Sequence, residues 1–122
     1  MDNEERLAQV LDIIRSFGDG GHPKFYQEVL NCCKLYGIRS RGYSNQADPN
    51  HNFRAAAKFG VEPWRGVVVR LNDKVSRIGT LSGKAPLYAA EREAIIEELQ
   101  DIVNYGLIAI TLMRPFDDGS CT

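Results

Sequence analysis

The sequence predicts an all-α fold, a bundle of four to five helices, on three observations. Residues 89–114 carry apolar side chains at helical period, without proline and with one glycine. The remaining apolar runs also recur at spacings of three and four. Proline and glycine fall where such runs begin and end. The Val67-Val68-Val69 run also permits a strand, but its neighbours keep the helical spacing.

The first helix spans 3–17, with Leu7, Val10, Leu11, Ile14 and Phe17 on one side. Asn3 is a suitable N-cap, and Glu4 and Glu5 complement the helix dipole. Pro23 opens the second helix, whose face is Phe25, Val29, Cys32 and Tyr36, and Gly37 ends it. Residues 38–47 read as polar and irregular. Asp48-Pro49 then starts a short helix over about 50–59, closed by Gly60. Pro63 opens a fourth helix with Trp64, Val68, Leu71, Val75 and Ile78 on one face and Arg70, Lys74 and Arg77 opposite. A loop at 80–88 precedes the last helix. Its second half, apolar nearly all round, describes a buried element. Residues 1–114 form one domain, and 115–122 a loose tail.

Composition narrows the function classes. The chain has 122 residues, is 43% hydrophobic and 25% charged, and carries a net charge of −1. That balance gives no general pull toward nucleic acid or an anionic membrane. The acidic N-terminus is no secretory signal, and no apolar run is long and clean enough to span a bilayer. Cys32, Cys33 and Cys121 lack metal-ligand spacing and suit a reducing cytoplasm. The adjacent pair reads as small apolar core residues. His22 and His51 occur in no triad or zinc pattern, and there is no phosphate-binding glycine loop.

The chemistry-bearing feature is an interruption in the last helix. Glu98 and Asp101, three apart, share a face, and Glu97 and Asn104 flank them. Carboxylates turned inward repel each other and lose solvation, so they need a cation or a basic partner. Mg²⁺, held by one or two carboxylates and by substrate phosphates, meets that need. Lys74 and Arg77, with Arg70 on the same line, would neutralise the phosphates. Water activated there would attack phosphorus, with a second carboxylate as base. The same acids also suit the wet side of an amphipathic helix, and the basic row a solvated face with Asp73 paired to Arg77.

The segments G-Y-S (42–44), D-P-N-H-N-F-R (48–54), G-V-E-P (60–63), V-R-L-N-D-K-V-S-R-I (69–78) and E-x-x-D-I-V-N-Y (98–105) carry a resemblance. They resemble small phage and bacterial proteins described as nucleotide-modification-associated domains. More distantly, they resemble the MazG-type all-α nucleoside triphosphate pyrophosphohydrolases. The resemblance implies Mg²⁺-dependent hydrolysis of a (deoxy)nucleoside triphosphate to monophosphate and pyrophosphate, in the cytoplasm of a bacterium or phage-infected host. It puts the E-x-x-D pair on Glu98 and Asp101, as metal ligands and catalytic carboxylates, helped by Glu97 or Glu28. The partner pair of that family falls on the second helix, where Glu28 alone is charged and Asn31 takes the other position. Tyr43, Asn52 and Phe53, with Arg54 beside them, become candidates for the base and sugar pocket. The resemblance also implies a homo-oligomer, dimer or tetramer, acting on a small nucleotide rather than on nucleic acid or a membrane. With its first acidic pair incomplete, the site alternatively binds or sequesters a nucleotide or cyclic-nucleotide signal without cleaving it. A purely structural helical adaptor is the third reading.

Overall fold

The computed structural model describes residues 2–17, 21–43, 50–83 and 87–114. The chain is all-helical, and no strand occurs among the described residues. In order the elements are α1 (Asn3–Arg15), α2 (Pro23–Tyr43), α3 (His51–Arg54), a 3₁₀ segment (Ala55–Phe59), α4 (Pro63–Ser82) and α5 (Ala89–Met113). The chain divides into two compact units, Met1–Gly37 and Ile38–Thr122. Residues 23–37 of α2 belong to the first and 38–43 to the second.

In the first unit, α1 is capped one residue earlier than the sequence suggests. Asp2 is the N-cap, and its Oδ1 accepts from the Glu5 amide at 2.8 Å. Glu4 and Glu5 do occupy the acidic first turn. The helix stops at Arg15, and the Ser16 hydroxyl donates to the Ile13 carbonyl. In α2, Leu30 and Cys32 are buried while Cys33 is exposed, so the two cysteines do not share one environment. Burial pushes the Cys32 thiol up, and the nearby charges of Glu28 and Cys33 add to this. It is held protonated, as a small apolar side chain rather than a nucleophile.

Gly37 does not end α2. Gly60 is the glycine with positive φ among the described residues, so Gly37 keeps helical backbone. The following residues 38–43 contain no proline, and the helix continues through them.

In the second unit, α3 begins at a buried Asn50 whose carbonyl accepts from the amides of Phe53 and Arg54, both at 3.0 Å. The Asp48-Pro49 start lies outside the described residues. Gly60, at φ +76°, closes the 3₁₀ segment in the left-handed conformation that glycine adopts freely. Pro63 stands in the first turn of α4.

Helices α4 and α5 pack closely on each other. Val67 joins Ile108 and Ala109 in the core, and seven residues later Lys74 meets Asp101, seven residues back. The two helices therefore run antiparallel. Phe53, Trp64, Tyr105 and Leu112 pack around this core. The seam on α4 is Trp64, Val67, Leu71, Lys74 and Ile78. Val68 and Val75, expected on that face, are exposed, and Lys74, expected opposite it, lies within. Acids on α5 draw Lys74 into the contact and rotate α4 accordingly. α5 is also not buried all round, because one of its apolar stripes faces solvent. Among the described residues no helix is long and apolar enough to cross a membrane.

Two glycines of this unit bear opposite expectations. A methyl at Gly79, inside α4, meets nothing within 4 Å, whereas Gly60 needs its positive φ. Gly79→Ala should stabilise by about 0.5–1 kcal/mol, and Gly60→Ala should destabilise by about 1–2 kcal/mol. Urea unfolding followed by circular dichroism reads both. A Gly79→Ala variant no more stable than the parent contradicts this account of α4.

Candidate functional site

The site is built on the middle of the α4–α5 seam. Asp101 is buried, with side-chain exposure of 7%, and two cations hold it. Its Oδ2 is 2.9 Å from Lys74 Nζ, and its Oδ1 accepts from Arg39 Nη1. Glu98, one turn earlier on α5, faces the same Lys74 at 3.4 Å and Arg77 at 3.6 Å. Two carboxylates and three cations thus form one connected cluster with an excess of one positive charge. Each basic residue comes from a different turn of α2 or α4.

Burial alone would pull the Lys74 ammonium pKa down. The hydrogen bond and charge of Asp101, then the charge and hydrogen bond of Glu98, outweigh it, and the pKa ends above the usual 10.5. Glu98 Oε2 is buried and has no hydrogen bond of ordinary geometry, with the ammonium at 3.4 Å its nearest counter-charge. That oxygen keeps spare acceptor capacity. Arg39 and Arg77 keep side-chain exposures of 46% and 63%, so their guanidinium groups offer free donors at the edge of the cluster.

The residues proposed from sequence divide into groups. Glu98, Asp101, Lys74 and Arg77 come together. Arg70, expected in line with Lys74 and Arg77, instead lies over the Phe53 ring at 5.5 Å. Phe53 meets Tyr105 edge-to-face at 6.3 Å and packs on the core, so its ring is spent on packing. Asn52 is exposed and Arg54 half-buried. The Tyr43 side chain lies outside the described residues. Glu97 is exposed. Glu28 belongs to the first unit, is exposed, and accepts from Asn31 Nδ2 at 3.3 Å. Among the described residues no three of His, Cys, Asp and Glu converge as metal ligands.

Two contributors were not singled out from sequence. Arg39 falls at position 39 of the series 25, 29, 32, 36, 39, the α2 face prolonged past Gly37. Following that spacing through the glycine would have found it. Asn50 donates through Nδ2 to Thr111 Oγ1 at 2.9 Å, and that hydroxyl donates to the Ile108 carbonyl at 2.7 Å. This ties the start of α3 to the end of α5. Comparison with protein-family models, with curated proteins and with solved structures gives no match.

Chemically the cluster can bind an anion at its arginine edge. Its two carboxylates could take a divalent ion only if Lys74 shifts toward an incoming phosphate, because the ammonium now bridges them. Removing that ammonium should expose its structural share. Lys74→Met leaves Asp101 with Arg39 alone and should cost about 1–3 kcal/mol. Adding Asp101→Leu should recover part of the loss in a double-mutant cycle. The sign with pH follows from the raised pKa: Lys74's contribution is complete below the ordinary lysine value and is lost as pH rises through the higher folded value. Urea unfolding across alkaline pH should therefore fall more steeply for the parent than for Lys74→Met. Parallel curves would contradict the assignment.

Proposed function

We propose that the protein binds a phosphorylated small molecule of the nucleoside triphosphate class at the Arg39–Lys74–Arg77 edge. The observation that carries this reading is the excess positive charge gathered around Glu98 and Asp101, with two arginines still open to solvent. Guanidinium groups suit phosphate because their paired N–H groups match its oxygens. The carboxylates hold the cations in place before a ligand arrives, which lowers the cost of ordering them. The nucleotide class itself follows the resemblance of roughly residues 25–113 to nucleotide-metabolism proteins.

Mg²⁺-dependent hydrolysis to monophosphate and pyrophosphate is the second reading. The buried, incompletely bonded Glu98 Oε2 favours it. In this reading Glu98 and Asp101 would hold Mg²⁺, which would supply charge neutralisation to the phosphates. Lys74 moves its hydrogen bonds from carboxylate to phosphate, and Arg77 and Arg39 orient the chain of phosphates. A homo-oligomer in the cytoplasm of a bacterial or phage-infected cell is the setting that both readings take from the resemblance.

Calorimetric titration with each deoxynucleoside triphosphate, with and without Mg²⁺, together with a pyrophosphate assay, separates the readings. Binding without Mg²⁺ and without product supports a binding protein. Pyrophosphate release that Glu98→Gln abolishes while binding persists supports the hydrolase. Arg77→Glu should weaken binding by at least about 10-fold in either case, by reversing a charge at the phosphate edge. No heat and no product with any nucleotide would overturn both.

A further inference from the structure

The five charges of the α4–α5 cluster alternate in sign along one row: Arg39, Asp101, Lys74, Glu98, Arg77. Asp101 turns Oδ1 to Arg39 and Oδ2 to Lys74, and Glu98 turns Oε2 to Lys74 and Oε1 to Arg77. All four carboxylate oxygens therefore face a cation. Lys74 is the one cation that serves both acids, with Nζ at 2.9 Å from Asp101 and 3.4 Å from Glu98. Its side chain is 17% exposed, so the ammonium is a fixed part of the seam rather than a group at its rim. A compact point charge set between two carboxylates one helical turn apart is the position a divalent ion would need.

A divalent ion fits that position poorly while the lysine is there. Mg²⁺ demands near-octahedral oxygen coordination. Among the described residues no third His, Cys, Asp or Glu joins Glu98 and Asp101, and Glu97, next in sequence, is exposed. An ammonium and a divalent ion on the same oxygens also repel each other. Charge arithmetic gives the lysine a purpose. Three cations against two carboxylates leave the row at +1, which attracts an anion unaided. Without Lys74, two cations against two carboxylates leave it neutral, and an anion would need a metal to enter.

We infer that Lys74 is the resident cation of the Glu98–Asp101 pair and takes the place of a divalent metal, so that the cluster receives its anion metal-free. The statement about the anion rests on the binding reading proposed above. The statement about the lysine stands on the geometry of the row alone.

Calorimetric titration of Mn²⁺ into the full chain, with no nucleotide present, tests the role of the lysine. Mn²⁺ is a suitable probe because it favours carboxylate oxygen and binds more tightly than most hard ions. The parent should show no saturable binding. Lys74→Met should bind Mn²⁺ about 10-fold or more tightly than the parent, because a like charge has left the site. Lys74→Arg keeps that charge and should behave as the parent. Adding Glu98→Gln to Lys74→Met should remove the gain, which locates it at this pair. If Lys74→Met is weakly folded, thermal melting gives the same answer: Mn²⁺ should raise its midpoint and leave the parent's unchanged, since an ion bound by the native state stabilises it. A parent that binds Mn²⁺ with an affinity lowered by Glu98→Gln overturns the inference. So does a Lys74→Met variant that gains neither affinity nor midpoint. Inorganic phosphate then tests the anion: the parent should bind it equally in EDTA and in Mg²⁺, and Lys74→Met only with the metal. Phosphate binding by the parent that requires Mg²⁺ overturns the inference. No phosphate binding under either condition counts against the binding reading instead, while the Mn²⁺ titrations still decide the role of Lys74.

Discussion

The ion bridge from Lys74 to Asp101 and Glu98 fixes how α4 and α5 meet. Each close pair is attracted by about 5 kcal/mol at an effective dielectric near 20. Desolvating the groups offsets much of that, so the bridge adds little to net stability. Its larger effect is on register. Sliding α4 by one turn would bring Leu71 or Ile78 against the carboxylates and carry Lys74 into the apolar stretch. Both changes strand a charge without its partner, which costs far more than the bridge itself contributes. The apolar residues Val67, Ile108 and Ala109 supply contact area, which several registers could share. The charged turn makes one register preferable.

That constraint explains which parts of the fold were legible in the sequence. The last helix, its inward-facing Glu98 and Asp101, and the approach of Lys74 and Arg77 follow from spacing and from the need of sheltered acids for counter-charge. Helix starts at Pro23 and Pro63 and the stop at Gly60 follow from local backbone chemistry. Other features depended on tertiary context. Gly37 permits a stop but does not impose one, and with the α2 helix continuing past it, Arg39 reaches Asp101. Arg70 is spaced like Lys74 and Arg77, yet an aromatic ring rather than a carboxylate lies within its reach. Val68 and Val75 fit an apolar face on α4, but Lys74 is needed in the seam and the valines turn outward. Periodicity locates a stripe without saying which of two neighbouring stripes a partner helix covers.

The short helix α3 illustrates the same limit at smaller scale. Phe53 looks equally suited to stacking on a base and to filling a core. The choice is made by Tyr105 and by the tether from Asn50 to Thr111, which presses α3 onto the end of α5. Neither contact has a local signature, because its partners lie more than fifty residues apart in the chain. Once the ring is committed to packing, it is no longer open to stack on a base.

α5 is therefore apolar on two sides for different reasons. On one side apolar residues surround a pair of acids and exclude water from them, which makes their pairing with Lys74 strong enough to raise its pKa. On the other side no charge interrupts the row from Ile96 to Ile110 except at the flanks. A helix packed against a single partner needs only the first side. Keeping five large apolar side chains in water costs solubility and does nothing for the α4 contact.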